Sequence, residues 1–237
     1  MKIAIIGYGK MGKEIEKIAL QRNHQIIFKF DKNNQNEFTT KNLQKADIAI
    51  EFSTPQNAYQ NFKKCFEANV PIVSGTTGWL DKYDEIVETC KKENKAFFYA
   101  SNFSLGVNIF FKVNQVLAKI MNNQNDFEVG MSETHHIHKL DAPSGTAISL
   151  ANDIIENIER KNNWTKEIPK TDEIQIESIR EGEVFGIHEI NYESEMDKIE
   201  IKHTLKNRKS LSLGAVLAAE FLINKKGFYT MNDLLNW

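Results

Sequence analysis

Lys2-Ile3-Ala4-Ile5-Ile6-Gly7-Tyr8-Gly9-Lys10-Met11-Gly12 is the stretch on which the fold turns. Lys2 to Ile6 is a short apolar run, and Met11, Ile15, Ile18 and Ala19 recur at helical spacing behind it. The order is therefore strand, glycine turn, helix. The Gly7-x-Gly9-x-x-Gly12 spacing suits a bound pyrophosphate. Gly7 permits the tight turn, Gly9 lets phosphate approach the backbone, and Gly12 lets helix and strand pack closely. The phosphates would sit on free amides at the positive end of the helix. A glycine-rich turn alone is common; its place at the head of a strand-turn-helix gives it meaning.

Moving outward, Gln25 to Phe30 reads as a second strand ending at Asp31, where an acid would bind ribose hydroxyls. Lys32 suits a 2′-phosphate or is one more solvated lysine, so NADH and NADPH both stay open. Residues 32–45 are polar and lack the periodicity of a crossover helix. Ala46 to Phe52, Val70 to Val73 and Ala96 to Ala100 read as further apolar strands. Between them lie a helix opened by Pro55 and carrying Ala58, Tyr59, Phe62, Cys65 and Phe66, and a second over Leu80 to Lys92. This alternation predicts a Rossmann-type doubly wound parallel sheet. Gly75-Thr76-Thr77-Gly78 follows one of the strands, so these groups either meet a nicotinamide or substrate or merely cap a helix.

Near Asn102 the pattern changes. A helix over Val107 to Met121 and a strand over Phe127 to Glu133 lead to a histidine-rich loop, then a helix from Ser144 to about Arg160. The stretch 160–173 reads as an exposed loop. Period-two segments follow at 174–176, 184–187, 189–192 and 198–201, which predicts an open sheet with one wet face. Leu211 to Ile223 is apolar nearly all round and must be buried. The expected chain is α/β. A dinucleotide-binding domain spans 1–101, and a second α+β domain with an open mixed sheet spans 102–208.

Composition narrows the function. The 237 residues carry 30 Lys+Arg against 32 Asp+Glu, a net charge of -2 that argues against wholesale nucleic-acid binding. Disorder and a disulfide scaffold are both excluded by 41% hydrophobic residues and two cysteines, Cys65 and Cys90, which read as reduced thiols. No apolar run reaches the ~20 residues that cross a bilayer, and Gly7 breaks the first run too early for a signal peptide. The expectation is a soluble cytoplasmic protein.

The densest chemistry lies in Glu133-Thr-His135-His136-Ile-His138-Lys139-Leu-Asp141-Ala-Pro143-Ser144-Gly145-Thr146. Three of the chain's six histidines fall within four residues, beside a lysine and a helix N-terminus. A zinc site is disfavoured, because no cysteine is near and adjacent His135 and His136 point apart when extended. The cluster instead suits an anion pocket with a proton donor. Lys139 and amides around Ser144 would hold carboxylates, and one imidazole would give a proton. Pro143 keeps Ala142 from the helical region, so Asp141 belongs to a loop. Arg180, Glu183, His188, His203 and Arg208, taken singly, read as solvated or ion-paired sheet residues.

These residues together resemble the 4-hydroxy-tetrahydrodipicolinate (dihydrodipicolinate) reductase family of lysine and diaminopimelate biosynthesis. The resemblance covers nearly the whole chain. It is most specific in the 133–147 segment, and Ser101-Asn102-Phe103-Ser104-Leu105-Gly106-Val107-Asn108 and the 75–78 loop also match. It implies that Gly7, Tyr8, Gly9, Lys10, Met11, Gly12, Asp31 and Lys32 hold NADH or NADPH. Gly75, Thr76, Thr77 and Ala100, Ser101, Asn102, Phe103 would line the nicotinamide. His135 would donate the proton, with Lys139 as its partner and a substrate contact, and His136, Gly145 and Thr146 would bind the dicarboxylate. No metal is implied; the resemblance has 209–237 complete the dinucleotide-binding domain and gives 102–208 to substrate binding and oligomerisation, members being typically homotetramers assembled through the second domain's sheet. The glycine loop is a residue shorter than in many members, and Asp31-Lys32 replaces the frequent Glu-Arg; both bear on coenzyme preference. Loops around 160–175 are trimmed. The competing readings are another nicotinamide dehydrogenase of this architecture and a non-catalytic NAD(P)-sensing module.

Overall fold

Strands apolar on both faces account for the first half of the chain. The computed structural model describes residues 1–237. In chain order come β1 (Lys2–Ile6), α1 (Lys10–Gln21), β2 (Gln25–Phe30), α2 (Thr40–Leu43), β3 (Ile48–Glu51) and α3 (Pro55–Glu67). They are followed by β4 (Ile72–Ser74), α4 (Tyr83–Lys92), β5 (Ala96–Tyr99) and α5 (Leu105–Met121). Next are β6 (Glu128–His135), α6 (Gly145–Ile155), β7 (Asn163–Thr165), β8 (Glu173–Arg180), β9 (Ile187–Glu193) and β10 (Lys198–Thr204). The chain closes with α7 (Lys209–Leu222), β11 (Gly227–Tyr229) and α8 (Met231–Leu235). Two units result: Met1–Leu105 with Lys209–Trp237, and Gly106–Arg208.

In the first unit six parallel strands are ordered β11-β5-β4-β3-β1-β2. Ile3, Ile5, Ile48, Ile50, Val73 and Phe98 face α1 and α7, while Ala4, Ile6, Ala49 and Phe97 face α3 and α4. Both sheet faces are thus covered, as doubly wound sheets require. Helices here stop with asparagine rather than glycine. Asn23, Asn69, Asn94, Asn224 and Asn236 take φ between 55° and 63° just after α1, α3, α4, α7 and α8, and asparagine tolerates this left-handed conformation best after glycine.

In the second unit the strands are ordered β10-β9-β6-β8-β7, with β6, β8 and β7 mutually parallel and β9 and β10 antiparallel. One face buries Val129, Met131, Ile174, Ile176, Ile190 and Tyr192 against Phe110 and Ala118 of α5 and Ala147, Leu150 and Ile154 of α6.

The structure corrects several readings. The stretch 160–173 is not all loop: β7 pairs with β8 there, anchored by buried Lys161, whose ammonium donates to Glu128 and to the carbonyls of Thr171 and Glu173. A lysine with three acceptors can be buried, so polarity misleads. The helix from Ser144 ends at Ile155 rather than about 160, where Arg160 turns to donate to the carbonyls of Met121, Asn122, Gln124 and Phe127. Of the segment 184–187 only Ile187 is strand: it opens β9, which also takes in 189–192, while 184–186 belong to the turn before it, with φ +44° at Gly182 and +155° at Gly186. β6 runs on to His135, which places that histidine on a strand end rather than in the loop. Leu80–Lys82 is a separate tight turn ahead of α4. α2, β11 and α8, at 4, 3 and 5 residues, are too short to show periodicity in sequence. No helix is long and apolar enough to cross a membrane.

Candidate active site

Within the first unit, the carboxyl ends of the strands border a crevice. Its larger cavity, of 780 Å³, is lined by Gly7, Tyr8, Gly9, Asp31, Lys32 and, from α3, Lys63 among others. A second cavity of 470 Å³ shares Gly9, Phe52 and Ser53 with it and adds Lys10, Met11, Gly75, Thr76 and Thr77. Both volumes fall in the range of small-molecule sites. The structure thus gathers the glycine turn, Asp31-Lys32 and the 75–77 loop around one crevice. Ala100, Ser101, Asn102 and Phe103 do not form part of these two walls. Phe103 is buried and packs on Phe98 and Phe52, with ring centroids 5.9 Å and 5.6 Å apart.

The glycines explain the shape. Gly7 has φ +93°, and a Cβ there would lie 2.1 Å from the Phe52 carbonyl oxygen. A Cβ on Gly12 would lie 2.5 Å from the Gly7 oxygen, so helix and turn touch only because both are bare. Gly9, by contrast, has open space at its Cβ direction and begins α1 with no side-chain cap and no acid in the first turn. Uncapped amides beside open space fit a phosphate group. At the end of β2, Asp31 Oδ1 accepts from the Asn33 amide at 2.7 Å.

Sequence reading missed Glu51 and Phe52 at this crevice. Glu51 is wholly buried at the end of β3. It accepts from the Ser53 amide (3.1 Å) and hydroxyl, the Ser74 hydroxyl (2.7 Å), the Thr76 hydroxyl (3.0 Å) and the Asn61 amide (3.4 Å). It thereby ties the 53–54 and 74–76 loops together. A Cβ on Gly75 would lie 2.2 Å from the Phe52 ring. An acid closing an apolar strand, with Phe52 and then Ser53 after it, was the available signal.

Within the second unit, β6, β8, β9 and the start of α6 converge on Glu133, also fully buried. Strand register sets Ser178, Glu133, His188 and His203 in one row across β8, β6, β9 and β10. The two oxygens of Glu133 do different things. Oε1 accepts from the Ser144 amide (3.0 Å), the Ser178 hydroxyl (3.0 Å) and the Arg180 guanidinium (3.3 Å). Oε2 accepts from the same Ser144 amide at 3.1 Å and lies 3.3 Å from His135 Nδ1 and 3.8 Å from His188 Nε2. Burial pushes the Glu133 carboxyl up, but the His135 ring, Ser144 and Ser178 outweigh it and hold the group well below the usual carboxylate range. His188 is pushed down to about 4 by burial, with His135 adding to the effect and Glu133 opposing it. His188 is thus neutral near pH 7.

Arg180 also donates to the carbonyls of Asp141 (2.6 Å) and Lys139 (3.4 Å), so it pins the loop after β6. The Lys139 ammonium lies 2.7 Å from both oxygens of Asp141. Its ion-pair partner is therefore Asp141 and not the His135 ring. That pair holds the Asp141 carboxyl below its ordinary range. Ser144 caps α6, its hydroxyl accepting from the Ala147 amide at 3.2 Å, and Gly145 beside it has open space. His136 is half-buried, while His138 is exposed and pairs with Glu183 at 3.4 Å. Glu133, His135 and His188 offer ligand atoms within 4.8 Å of one another, but the Arg180 guanidinium already sits on the carboxylate and opposes a cation there. His188 and Arg180, read singly as ordinary sheet residues, are central here. Their register opposite Glu133 is a tertiary fact that no local pattern encodes.

Against known families, residues 1–103 match the dihydrodipicolinate reductase N-terminal model and residues 106–235 the C-terminal model. The chain is 50% identical over 236 residues to a 4-hydroxy-tetrahydrodipicolinate reductase of Christiangramia forsetii, covering 100% of this chain and 98% of that one. It is 32% identical over 249 residues to the enzyme of the same name from Staphylococcus saprophyticus, covering 99% and 100%. In fold it resembles a dipicolinate-bound dihydrodipicolinate reductase from Paenisporosarcina sp. TG-14, with TM-score 0.82, 23% identity and 98% coverage of each chain. Both domain models, in order and nearly end to end, place the chain in the dihydrodipicolinate reductase family, pyridine-nucleotide oxidoreductases of lysine and diaminopimelate biosynthesis.

Proposed function

We propose that the enzyme reduces 4-hydroxy-tetrahydrodipicolinate to tetrahydrodipicolinate, taking hydride from NADH or NADPH and a proton from His135. The observation that carries this reading is the cluster around Glu133, which sets a buried imidazole beside a lysine loop and a helix N-terminus within one unit. A cyclic imine with two carboxylates needs cationic or N–H partners for its ends and a proton for its ring nitrogen. Lys139, His136 and the amides of Gly145 and Thr146 supply the former, a substrate carboxylate taking the place of Asp141 on the lysine. The dipicolinate in the Paenisporosarcina enzyme is a dicarboxylate of this kind.

The residues of the first unit fit a dinucleotide. Gly7, Gly9 and Gly12 with the α1 amides would hold the pyrophosphate, Asp31 the ribose diol, and Lys32 a 2′-phosphate. Tyr8, Lys10 and Met11 border the same turn, and Thr77 offers a hydroxyl for a carboxamide beside Thr76, whose own hydroxyl is held by Glu51, with Phe103 of the 100–103 segment packed behind on Phe52. The nicotinamide supplies hydride when bound. The sheet face of the second unit that carries Gln175, Glu177 and Ile179 has no helix over it, and we assign it to assembly of a homotetramer.

A coupled assay tests the reaction: a synthase supplies the substrate, NADH and NADPH are added separately, and loss of the nicotinamide absorbance is followed. Turnover with competitive inhibition by pyridine-2,6-dicarboxylate is expected. Coenzyme binding without oxidation would instead mark a non-catalytic dinucleotide-sensing module.

A further inference from the structure

We propose that Glu133 is the positioning residue for His135: its carboxylate holds the Nδ1 side of the ring, while the bare backbone of Gly186 leaves the Nε2 side clear. This rests on the reading of His135 as proton donor and adds the group that selects which ring nitrogen exchanges the proton.

Glu133 and His135 are two residues apart on β6, so both side chains leave the same face of the sheet. Ser144, Ser178 and Arg180 all donate to Oε1, which immobilises the carboxylate. Oε2 is thereby turned to the imidazoles. His135 Nδ1 is enclosed, makes no aligned hydrogen bond, and faces Oε2 at 3.3 Å. His188 is also near Oε2, but it is farther, at 3.8 Å, and its Nε2 is taken by the Ser144 hydroxyl at 3.2 Å. On the opposite side of the His135 ring, a Cβ on Gly186 would lie 3.1 Å from Nε2 and 3.4 Å from Cδ2. Gly186 cannot back away easily, because its carbonyl accepts from the Leu205 amide at 2.8 Å. The ring is therefore held on one edge and given room on the other.

A carboxylate at Nδ1 favours the tautomer protonated there, so Nε2 becomes the exchanging nitrogen. In the step this supports, the Nε2–H bond breaks as an N–H bond forms at the substrate ring nitrogen. His135 passes from doubly protonated to neutral with its remaining proton on Nδ1, and a proton taken up from solvent restores Nε2–H.

The test combines 15N NMR of histidine-labelled enzyme, His135 being assigned by its loss in H135Q, with steady-state kinetics. In the parent enzyme neutral His135 should show the Nδ1–H tautomer. Glu133→Gln should shift it toward Nε2–H and lower kcat roughly tenfold to hundredfold, part of what a well-placed general acid contributes, with both KM values within about threefold. Ser178→Ala removes one of the donors that hold Oε1 but not the His135 contact, so it should keep the tautomer and lower kcat less than Glu133→Gln does. Glu133→Asp should recover part of the loss. Gly186→Ala tests the other edge and is expected to lower kcat without raising KM. An unchanged tautomer in Glu133→Gln, or a kcat loss no larger than in Ser178→Ala, overturns the proposal. Should Glu133→Gln not fold, the tautomer in Glu133→Asp and kcat in Gly186→Ala decide it. If H135Q itself keeps the parent kcat, the proton-donor reading fails, while the tautomer measurement still judges the Glu133–His135 contact separately.

Discussion

Each unit buries one glutamate completely near the carboxyl end of a strand, and the two are compensated in different ways. Glu51 is ringed by neutral donors, the Ser53, Ser74 and Thr76 hydroxyls and the Asn61 amide. Glu133 has a hydroxyl and an amide too, but also a guanidinium and two imidazoles. A buried carboxylate is tolerated only with such partners. Neutral donors cannot pass charge onward at ordinary pH, so the first ring fixes loops. Imidazoles can, so the second ring can do acid–base work. The largest test of that contrast is His135→Gln. It should cut kcat by ~10²–10⁴ with coenzyme KM nearly unchanged, while Glu51→Gln in the same assay should act on coenzyme KM first. A His135→Gln enzyme within threefold of the parent kcat would erase the distinction.

Acid should also separate the two regions. His188 titrates near 4 in the folded protein and near 6.5 when unfolded, so between those values the unfolded chain binds the extra proton. Stability therefore rises with pH across that window and is lost as pH falls from 6.5 toward 4, by up to about 3 kcal/mol. Glu133, held below the usual carboxylate range, adds to the loss further down: its contribution is present above the unfolded carboxyl value and disappears as pH falls toward its folded one. Urea midpoints for parent and His188→Asn between pH 4 and 7 check the first effect. The variant should show the flatter profile, and parallel profiles would mean that His188 carries no such linkage.

The same contrast marks what a sequence discloses. The Gly7–Gly12 turn, Asp31 and the 75–77 loop were legible because local rules govern them: a glycine where a Cβ would strike Phe52, an acid at a strand end. His135 and Lys139 stood out by density. The partners of Glu133 did not, since Ser178, Arg180 and His188 lie 45 to 55 residues downstream and meet it only through strand register. Lys161 and β7 were hidden for a related reason, because a polar stretch reads as loop until its acceptors are known. Short closing elements such as β11 have no period to detect, and pairing with β5 alone defines them.

A smaller effect is expected at Glu51 itself. Glu51→Gln keeps shape but replaces one acceptor oxygen by a donor, which leaves Ser74 or Thr76 facing an N–H. One unpaired buried polar group costs ~1–3 kcal/mol. Urea denaturation should show that loss, accompanied by a raised KM for either coenzyme because Thr76 and Ser53 line the crevice. Unchanged stability would mean that the neutral ring is redundant.

The smallest effect concerns coenzyme choice. Asp31 is fixed by the Asn33 amide and faces the crevice with one free oxygen, an arrangement suited to the two hydroxyls of an NADH ribose and adverse to a phosphate. Lys32, exposed beside it, would offset that repulsion if a 2′-phosphate is bound, as proposed above. An exposed ion pair is worth up to about 1 kcal/mol, or roughly fivefold. Lys32→Ala should therefore raise KM for NADPH by about that factor and leave NADH unchanged. Equal effects on both coenzymes would shift the lysine's role from the 2′-phosphate to the general field of the crevice, where Lys63 of α3 already contributes. Because Asp31 and Lys32 act in opposite senses on the same ribose, the double variant should discriminate less than either single one.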